Sequence, residues 1–498
     1  MALWMNIPLV LILMCLLSSA ICSILPGKAA RIWMLSAISV QVALSLTLLL
    51  SLISYGGSFV YKLSEVGAPY GNELSASVLE AMVGLTFTSI MLLSVLGGWR
   101  KIRADVHPRR MSLYCVMVML LLAALNALTY TNDLFTGYVF IEIATISACA
   151  LILVNNKGRS LFAATRYMLM NLLGSGLFLL GLILLYCLTG QLLFPQLKQA
   201  VAQLRGENLY IVPLYLSLLL MALGIGIKSA LYPFHTWLPN AYANATPASS
   251  AMLSSLISKA YIVLLIKIVF KAAGPDAFLA GGVDDVLFVF SLIGIIMGSV
   301  DALREHNLRR MISYSSVAQI GYIFLGVSLG SKAGAAAAVF HIMAHSAAKA
   351  MLFLCSDRLV EVSGGSEAYR DLRGSGFRAP LAGLAFMVGA FSIVGVPFLG
   401  GFSSKLYLAT ASLSLTTWKM LTLLLVLAAS TLLNVMYFLR TVLTLYRKGE
   451  RFPLKPVDKR PHPTFAISMA AFIALNLLLG VAAYPIMTLI TQGFQMIS

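Results

Sequence analysis

Apolar runs of about twenty residues recur from one end of the chain to the other, each long enough to cross the ~30 Å hydrocarbon layer of a bilayer. Fourteen such spans can be read: 4–23, 31–54, 75–98, 111–128, 132–154, 163–190, 211–231, 247–270, 283–299, 308–328, 334–356, 380–410, 418–446 and 463–491. Of 498 residues, 60% are hydrophobic and 11% charged, where a soluble domain carries roughly 25% charged residues. No loop is long enough to form a soluble domain and no linker divides the chain. The sequence predicts an all-α polytopic membrane protein.

The net charge of +17 is of the size met in nucleic-acid binders, but its distribution excludes that class. Counted with the span ends beside them, odd-numbered loops hold 23 of the 35 Lys and Arg, and even-numbered loops hold 6. Positive charge gathers on the cytoplasmic side. The odd loops are therefore expected in the cytoplasm of a cell-membrane protein, with both termini outside and anionic lipid headgroups as neighbours. Residues 1–23 resemble a signal peptide, but no positive n-region precedes the apolar run, so a retained first helix is expected. The six cysteines sit in apolar spans without C-x-x-C pairing and read as small hydrophobes.

Charges inside a bilayer are costly and usually face a polar interior. Here they are Glu142, Lys228, Lys259, Lys267, Lys349 and Lys405, with His235, His341 and His345 beside them. Asp133 sits at a helix end and Glu80 near the start of the third span. In HIMAHSAAKAMLF, His341, His345 and Lys349 are four residues apart, which puts them on one helix face over roughly 12 Å. Lys259 and Lys267 share a face in the same way, and Lys228, Tyr232 and His235 follow an i, i+4, i+7 stripe. One-sided polar ladders in apolar helices suit a path for protons or ions. His341 and His345 have metal-like spacing, yet no glutamate of an H-E-x-x-H pattern lies between them, so no metal is expected. Asp133 reads equally as a helix cap or an outer ion-entry group, and Lys267 as conducting or snorkelling outward.

Pro233 should break or kink the seventh span, and Pro397, Gly400 and Gly401 interrupt the twelfth ahead of Lys405. Interrupted helices near the midplane recur in transporters. Ser254, Ser255, Ser258, Ser315, Ser316 and Gln319 are expected either to hold relay water or to join helices.

YTNDLFTGYVFIEI, KSALYPFHTWLPNAYANATPASSAMLSSLISKAY, RRMISYSSVAQIGYIFLG, HIMAHSAAKAMLFL and GVPFLGGFSSKLYL resemble the antiporter-like membrane subunits shared by complex I, membrane-bound hydrogenases and Mrp Na⁺/H⁺ antiporters. The wording around TNDLF is more similar to the D-type subunits of Mrp antiporters and their hydrogenase-complex relatives. The resemblance implies fourteen helices, with helices 4–8 and 9–13 as inverted repeats and the seventh and twelfth broken. It implies an N-terminal segment at 1–110, repeats at 111–275 and 276–446, and a cytoplasmic loop with the last helix at 447–498. It implies pairing of Glu142 with Lys228, and a relay through Lys259, His341, His345 and Lys349 to Lys405. Two departures stand out. Asn240 and Asn244 occupy places where the family often has acids, and Ser77 replaces an early third-helix acid one turn from Glu80.

Desolvation favours a neutral amine, whereas a nearby carboxylate favours the ammonium. At an effective dielectric of ~20, unit charges 4 Å apart interact by about 4 kcal/mol, enough to move proton affinity about a thousandfold. Opening and closing the Glu142–Lys228 pair would thus load and unload a proton. The expected function is proton or Na⁺/H⁺ translocation within a multi-subunit complex; the alternative is the ion-pumping subunit of a redox-driven complex. No dinucleotide fingerprint or cluster-ligating cysteine set is present, so no cofactor is expected in this chain. Expected partners are small hydrophobic subunits, membrane lipid and, in a redox-driven assembly, hydrophilic iron–sulfur or hydrogenase proteins; nucleic acid is not among them.

Overall fold

The computed structural model describes residues 3–63, 71–155, 158–447 and 461–496; most of the basic loop expected at 447–462 falls outside them. Among the described residues, thirteen helices are long and apolar enough to span a membrane. They are Leu3–Ile24, Gly27–Tyr55, Val78–Gly97, Pro108–Tyr130, Leu134–Leu153, Gly158–Thr189, Ile211–Lys228, Pro247–Ala273, Val283–Arg304, Leu308–Ser328, Lys332–Glu361, Thr417–Tyr446 and Pro463–Val481. The expected twelfth span is two helices, Pro380–Val394 and Gly400–Ser412. The chain is an all-α polytopic membrane protein, and ordinals below follow this order.

Away from the basic loops, a small hairpin pairs β1 (Phe59–Lys62) with β2 (Glu73–Ala76), antiparallel, with Phe59 opposite Ala76. Beside it, the helix Phe194–Gly206 follows the sixth span.

The polar spans are the buried ones. The most apolar stretch of the eighth and eleventh spans is 100% buried, and of the tenth 94%, against 33% in the second, sixth and thirteenth. Lys332–Ala338 reads KAGAAAA, and small side chains let neighbouring backbones close in. A Cβ on Gly326 would lie 2.8 Å from the Gly334 carbonyl oxygen, and one on Gly334 2.6 Å from that of Gly326. The tenth and eleventh spans therefore cross backbone to backbone.

The seventh span ends earlier than its hydropathy suggests. The expected limit is residue 231, but the helix stops at Lys228. Ala230 turns the backbone left-handed, at φ 62°, and a single turn of 3-10 helix follows at Phe234–Trp237. Pro233 therefore lies in unwound chain instead of kinking a helix. The indole of Trp237 donates to the Ile227 carbonyl at 3.3 Å, which also accepts from the Ala230 amide at 3.1 Å. The i, i+4, i+7 stripe of Lys228, Tyr232 and His235 does not survive, because the α-helix ends at Lys228 and His235 lies in the separate 3-10 turn.

The twelfth span breaks where its Pro and Gly residues predict. Gly395 has φ 95°, Pro397 lies in the unwound Gly395–Leu399 link, and Gly400 and Gly401 open the second half. The fourteenth run also divides, with a helix boundary at Ala482.

The twelfth break leaves no room at its closest approach. A Cβ on Gly401 would sit 1.7 Å from the Ser392 carbonyl oxygen, so backbone must move. Gly401→Ala is expected to lower stability by about 3 kcal/mol. Gly176→Ala, where an added Cβ meets nothing within 4 Å, should melt like the parent; a thermal-shift assay on the purified complex compares them.

Candidate functional site

The pairing of Glu142 with Lys228 depends on a close helix crossing. Gly174 and Gly224 bring the sixth and seventh spans together, and a Cβ on Gly174 would meet both the Gly224 carbonyl, at 2.8 Å, and Lys228 Cγ, at 2.9 Å. Lys228 Nζ then lies 3.2 Å from Glu142 Oε1 and donates to Thr145 Oγ1 at 3.0 Å. Ser175 donates to the same carboxylate oxygen at 2.5 Å. The lysine side chain is fully buried, whereas that of Glu142 is 30% exposed on a helix of membrane-spanning length.

Polar contacts continue from there into the eighth span. Thr145 Oγ1 meets the Tyr261 hydroxyl at 3.2 Å, and the Lys228 ammonium lies 5.7 Å from the Tyr261 ring centre. The unwound Ser229 donates to the Ser258 carbonyl at 3.3 Å, next to Lys259. The eighth span loosens into wide π turns at Leu253–Ile257 and Ile268–Ala273. Lys259 is fully buried, and its ammonium donates to the Ser254 carbonyl in the first of them. Ser346 of the eleventh span donates to the Ser255 carbonyl at 2.6 Å, one residue from His345.

His345 and His341 stack, with ring centres 5.9 Å apart and planes 8° from parallel. His341 Nδ1 is 2.9 Å from Ser404 Oγ. Tyr322 bridges onward: its ring lies 5.5 Å from that of His341 and 5.3 Å from the Lys405 ammonium. Lys405 donates to the Val394 carbonyl at 2.9 Å, across the break, and to Thr431 at 3.3 Å. Lys349 turns aside toward the tenth span, where it donates to the Ile312 carbonyl at 2.8 Å and to Ser315.

Four of the serine hydroxyls donate within their own helix and not across helices: Ser254 and Ser255 to Ala251, and Ser315 and Ser316 to Ile312. By contrast, both nitrogens of His345, Ser258 Oγ and Gln319 Nε2 are buried without a protein partner.

The accessory residues separate. Asp133 caps its helix, accepting from the Thr136 amide at 2.5 Å, while burial pushes its carboxyl up from the ordinary range. Lys267 does not snorkel: it is 2% exposed and donates to the carbonyls of Thr129, at 2.8 Å, and Thr131, closing the end of the fourth span. His235 stacks on Tyr232 at 5.0 Å, and its Nε2 lies 3.8 Å from Asp301. Glu80 pairs with Lys271 at 2.5 Å, while Ser77 donates to it through its amide, at 3.0 Å, and its hydroxyl. Sequence reasoning missed Lys271 and Asp301. Lys271 continues the four-residue spacing from Lys267, a signal hidden by placing it in a loop.

At the basic end, Asn240 Oδ1 accepts from Arg310 at 3.4 Å, and Arg310 also holds Glu305 at 2.8 Å. These groups lie beside a cavity of about 690 Å³ that Asn240, Asn244, Arg159 and Glu367 help to line.

These features define a class: a polytopic membrane protein with buried ionisable groups threaded between two broken helices. The family described as NADH:quinone oxidoreductase/Mrp antiporter, TM, matches residues 131–432, and the chain belongs to it. It is 33% identical to the N subunit of NADH-quinone oxidoreductase from Desulforudis audaxviator over 399 residues, covering 79% of this chain and 76% of that protein. It is 26% identical to the D subunit of the Na(+)/H(+) antiporter from Bacillus subtilis over 428 residues, covering 86% and 84%. A chain in the structure of the membrane-bound sulfane sulfur reductase, an archaeal respiratory membrane complex, superposes with TM-score 0.87 at 25% identity, covering 99% of this chain and 98% of that one. A chain of the Mrp complex from Dietzia sp. DQ12-45-1b shares the fold, with TM-score 0.86 at 22% identity and coverage of 99% and 97%. Relatives of both the quinone-reductase and the antiporter kind thus stand beside it.

Two tests follow from this geometry. Asp133→Ala should cost about 1 kcal/mol of stability, with Asp133→Asn retaining most of the cap and both variants transporting as the parent does; paired thermal melts and flux assays read this. Burial acts to raise the Glu305 carboxyl, but the hydrogen bond from Arg310, the amides of His306 and Asn307, and the Arg310 charge outweigh it and hold it below its ordinary range. A depressed carboxyl stabilises above its unfolded value and loses that contribution as pH falls through its folded value. Glu305→Gln should therefore flatten the acid-side fall of Tm.

Proposed function

We propose that this chain is the proton-translocating, antiporter-like subunit of a larger complex in the cell membrane, with its basic end in the cytoplasm and both termini outside. The 3.2 Å contact between Lys228 and Glu142, at the break in the seventh span, carries this reading. When the pair is closed, the carboxylate holds the proton on Lys228. When it opens, the desolvated ammonium gives its proton up toward the eighth span. Lys259, His345 and His341 then pass it to Lys405, with Lys349 of the eleventh span as a side branch toward the tenth. Histidine suits the middle of the path because its reference proton affinity lies near working pH. The buried nitrogens of His345 and Gln319 and the Ser258 hydroxyl can hold the bridging water that such a relay requires.

The two broken helices are consistent with a pair of inverted repeats at 111–275 and 276–446, each contributing one interrupted span. The partly exposed Glu142 supports assembly with other membrane subunits, because an ionised carboxylate facing acyl chains is costly. A protein neighbour over that face would remove the cost. The likeness to the N subunit of NADH-quinone oxidoreductase favours a second reading, in which the same path serves a redox-driven complex. An inventory of the purified complex by mass spectrometry separates the two: iron–sulfur or hydrogenase proteins mark the redox-driven form.

Reconstituted complexes carrying Glu142→Gln or Lys228→Met should assemble with every subunit yet lose at least tenfold in proton flux, read with a pH-sensitive dye inside vesicles. Flux at the parent rate in either variant would overturn the relay.

A further inference from the structure

The relay leaves unexplained a second buried cluster at the end of the molecule away from the basic loops. Glu80 is fully buried and Lys271 largely so, and they pair at 2.5 Å. Lys271 also donates to Ser75 at 3.0 Å. One helical turn along the third span, Gly84 packs against the Tyr130 hydroxyl, with no room between them for a Cβ. That hydroxyl is buried and has no protein partner. Tyr130 lies between Thr129 and Thr131, whose carbonyls hold the Lys267 ammonium. Glu80, Tyr130, Lys267 and Lys271 thus meet where the third, fourth and eighth spans converge.

Two further features give this cluster a direction. Inward, Lys267 lies eight residues from Lys259 in the eighth span, about 12 Å along it. Outward, Lys271 lines a cavity of about 360 Å³, together with Ser58, Ser75, Ser77, Asn132 and Lys198, beneath the β1–β2 hairpin. That volume holds roughly ten waters at about 30 Å³ each. Glu80 closes a capping box by accepting from the Ser77 amide through one carboxylate oxygen, but its other oxygen, held by Lys271 beside the cavity, is more than that box requires.

We propose that Lys267, Tyr130, Glu80 and Lys271 form a second aqueous port, joining Lys259 to the non-cytoplasmic face without passing through the eleventh and twelfth spans. The Lys271 ammonium gives a proton to cavity water and becomes an amine. Glu80 remains ionised beside it and draws the next proton outward from Lys267 through the Tyr130 hydroxyl, which accepts one proton as it releases another. Lys267 is then reloaded from Lys259. Each transfer moves one proton and leaves the total charge of protein and water unchanged. This inference rests on the proposed proton function, and the experiment keeps the two apart.

The test uses the whole complex in vesicles. Lys271→Arg keeps a cation paired with Glu80 but cannot release a proton. If the port carries protons, this variant assembles and loses at least fivefold in flux, as does Lys271→Met. If Lys271 only fixes the structure, arginine restores parental flux and the port is overturned. In a chain with its six cysteines replaced, Ser75→Cys should react with a membrane-impermeant, uncharged thiol reagent from the non-cytoplasmic face alone, and flux should fall. Lack of labelling from that face would also reject the port. A parental complex that moves no protons would instead overturn the proposed function beneath it.

Discussion

A charge placed in a bilayer must be met by protein, and the ammonium of Lys228 sets the terms for everything around it. Its carboxylate partner sits on the fifth span, its hydroxyl partner one turn further along, and the serine that holds the carboxylate on the sixth. Bringing three helices to one nitrogen requires the glycine crossing at Gly174 and Gly224. It also requires the seventh helix to end where the lysine stands. Break, crossing and ion pair are one arrangement seen from three sides.

The other buried lysines follow a different rule. Lys259, Lys267, Lys349 and Lys405 each end on backbone carbonyls, at Ser254, Thr129 and Thr131, Ile312 and Val394 respectively. The carbonyls of Ser254, Thr129, Thr131 and Val394 become available where helices end or loosen, whereas that of Ile312 is reached inside a regular helix. A carbonyl is neutral, and it accepts from an amine as well as from an ammonium, so these lysines are satisfied in either protonation state. Lys228 and Lys271, which end on carboxylates, are satisfied mainly when charged. The surroundings thus separate lysines that can pass a proton freely from the two, Lys228 and Lys271, whose carboxylates hold it until transfer.

Much of this arrangement is legible in the residues. Span limits follow from apolar length, and the twelfth break from Pro397, Gly400 and Gly401. The His341–His345 stack follows from four-residue spacing within one continuous helix. What stays hidden depends on backbone irregularity or on a partner from another span. Nothing in SALYP states that the seventh helix ends at Lys228, because Ala230 is an ordinary helix former forced left-handed by its surroundings. Spacing alone therefore gives Tyr232 and His235 a helix face shared with Lys228 that does not exist. The π turns of the eighth span are equally silent, and they carry Lys271 back to Glu80 across 191 residues of chain. Asp133 and Lys267 each have two readings of similar weight, and only hydrogen-bond geometry distinguishes a cap from an exposed charge.

The twelfth break has a cover made from the far end of the chain. Gly480 packs so tightly on Phe398 that a Cβ there would lie 2.0 Å from its carbonyl oxygen. A ribosome finishes the link long before it reaches residue 480. During synthesis, therefore, the opened backbone beside Lys405 must wait in the membrane for the last helix to arrive.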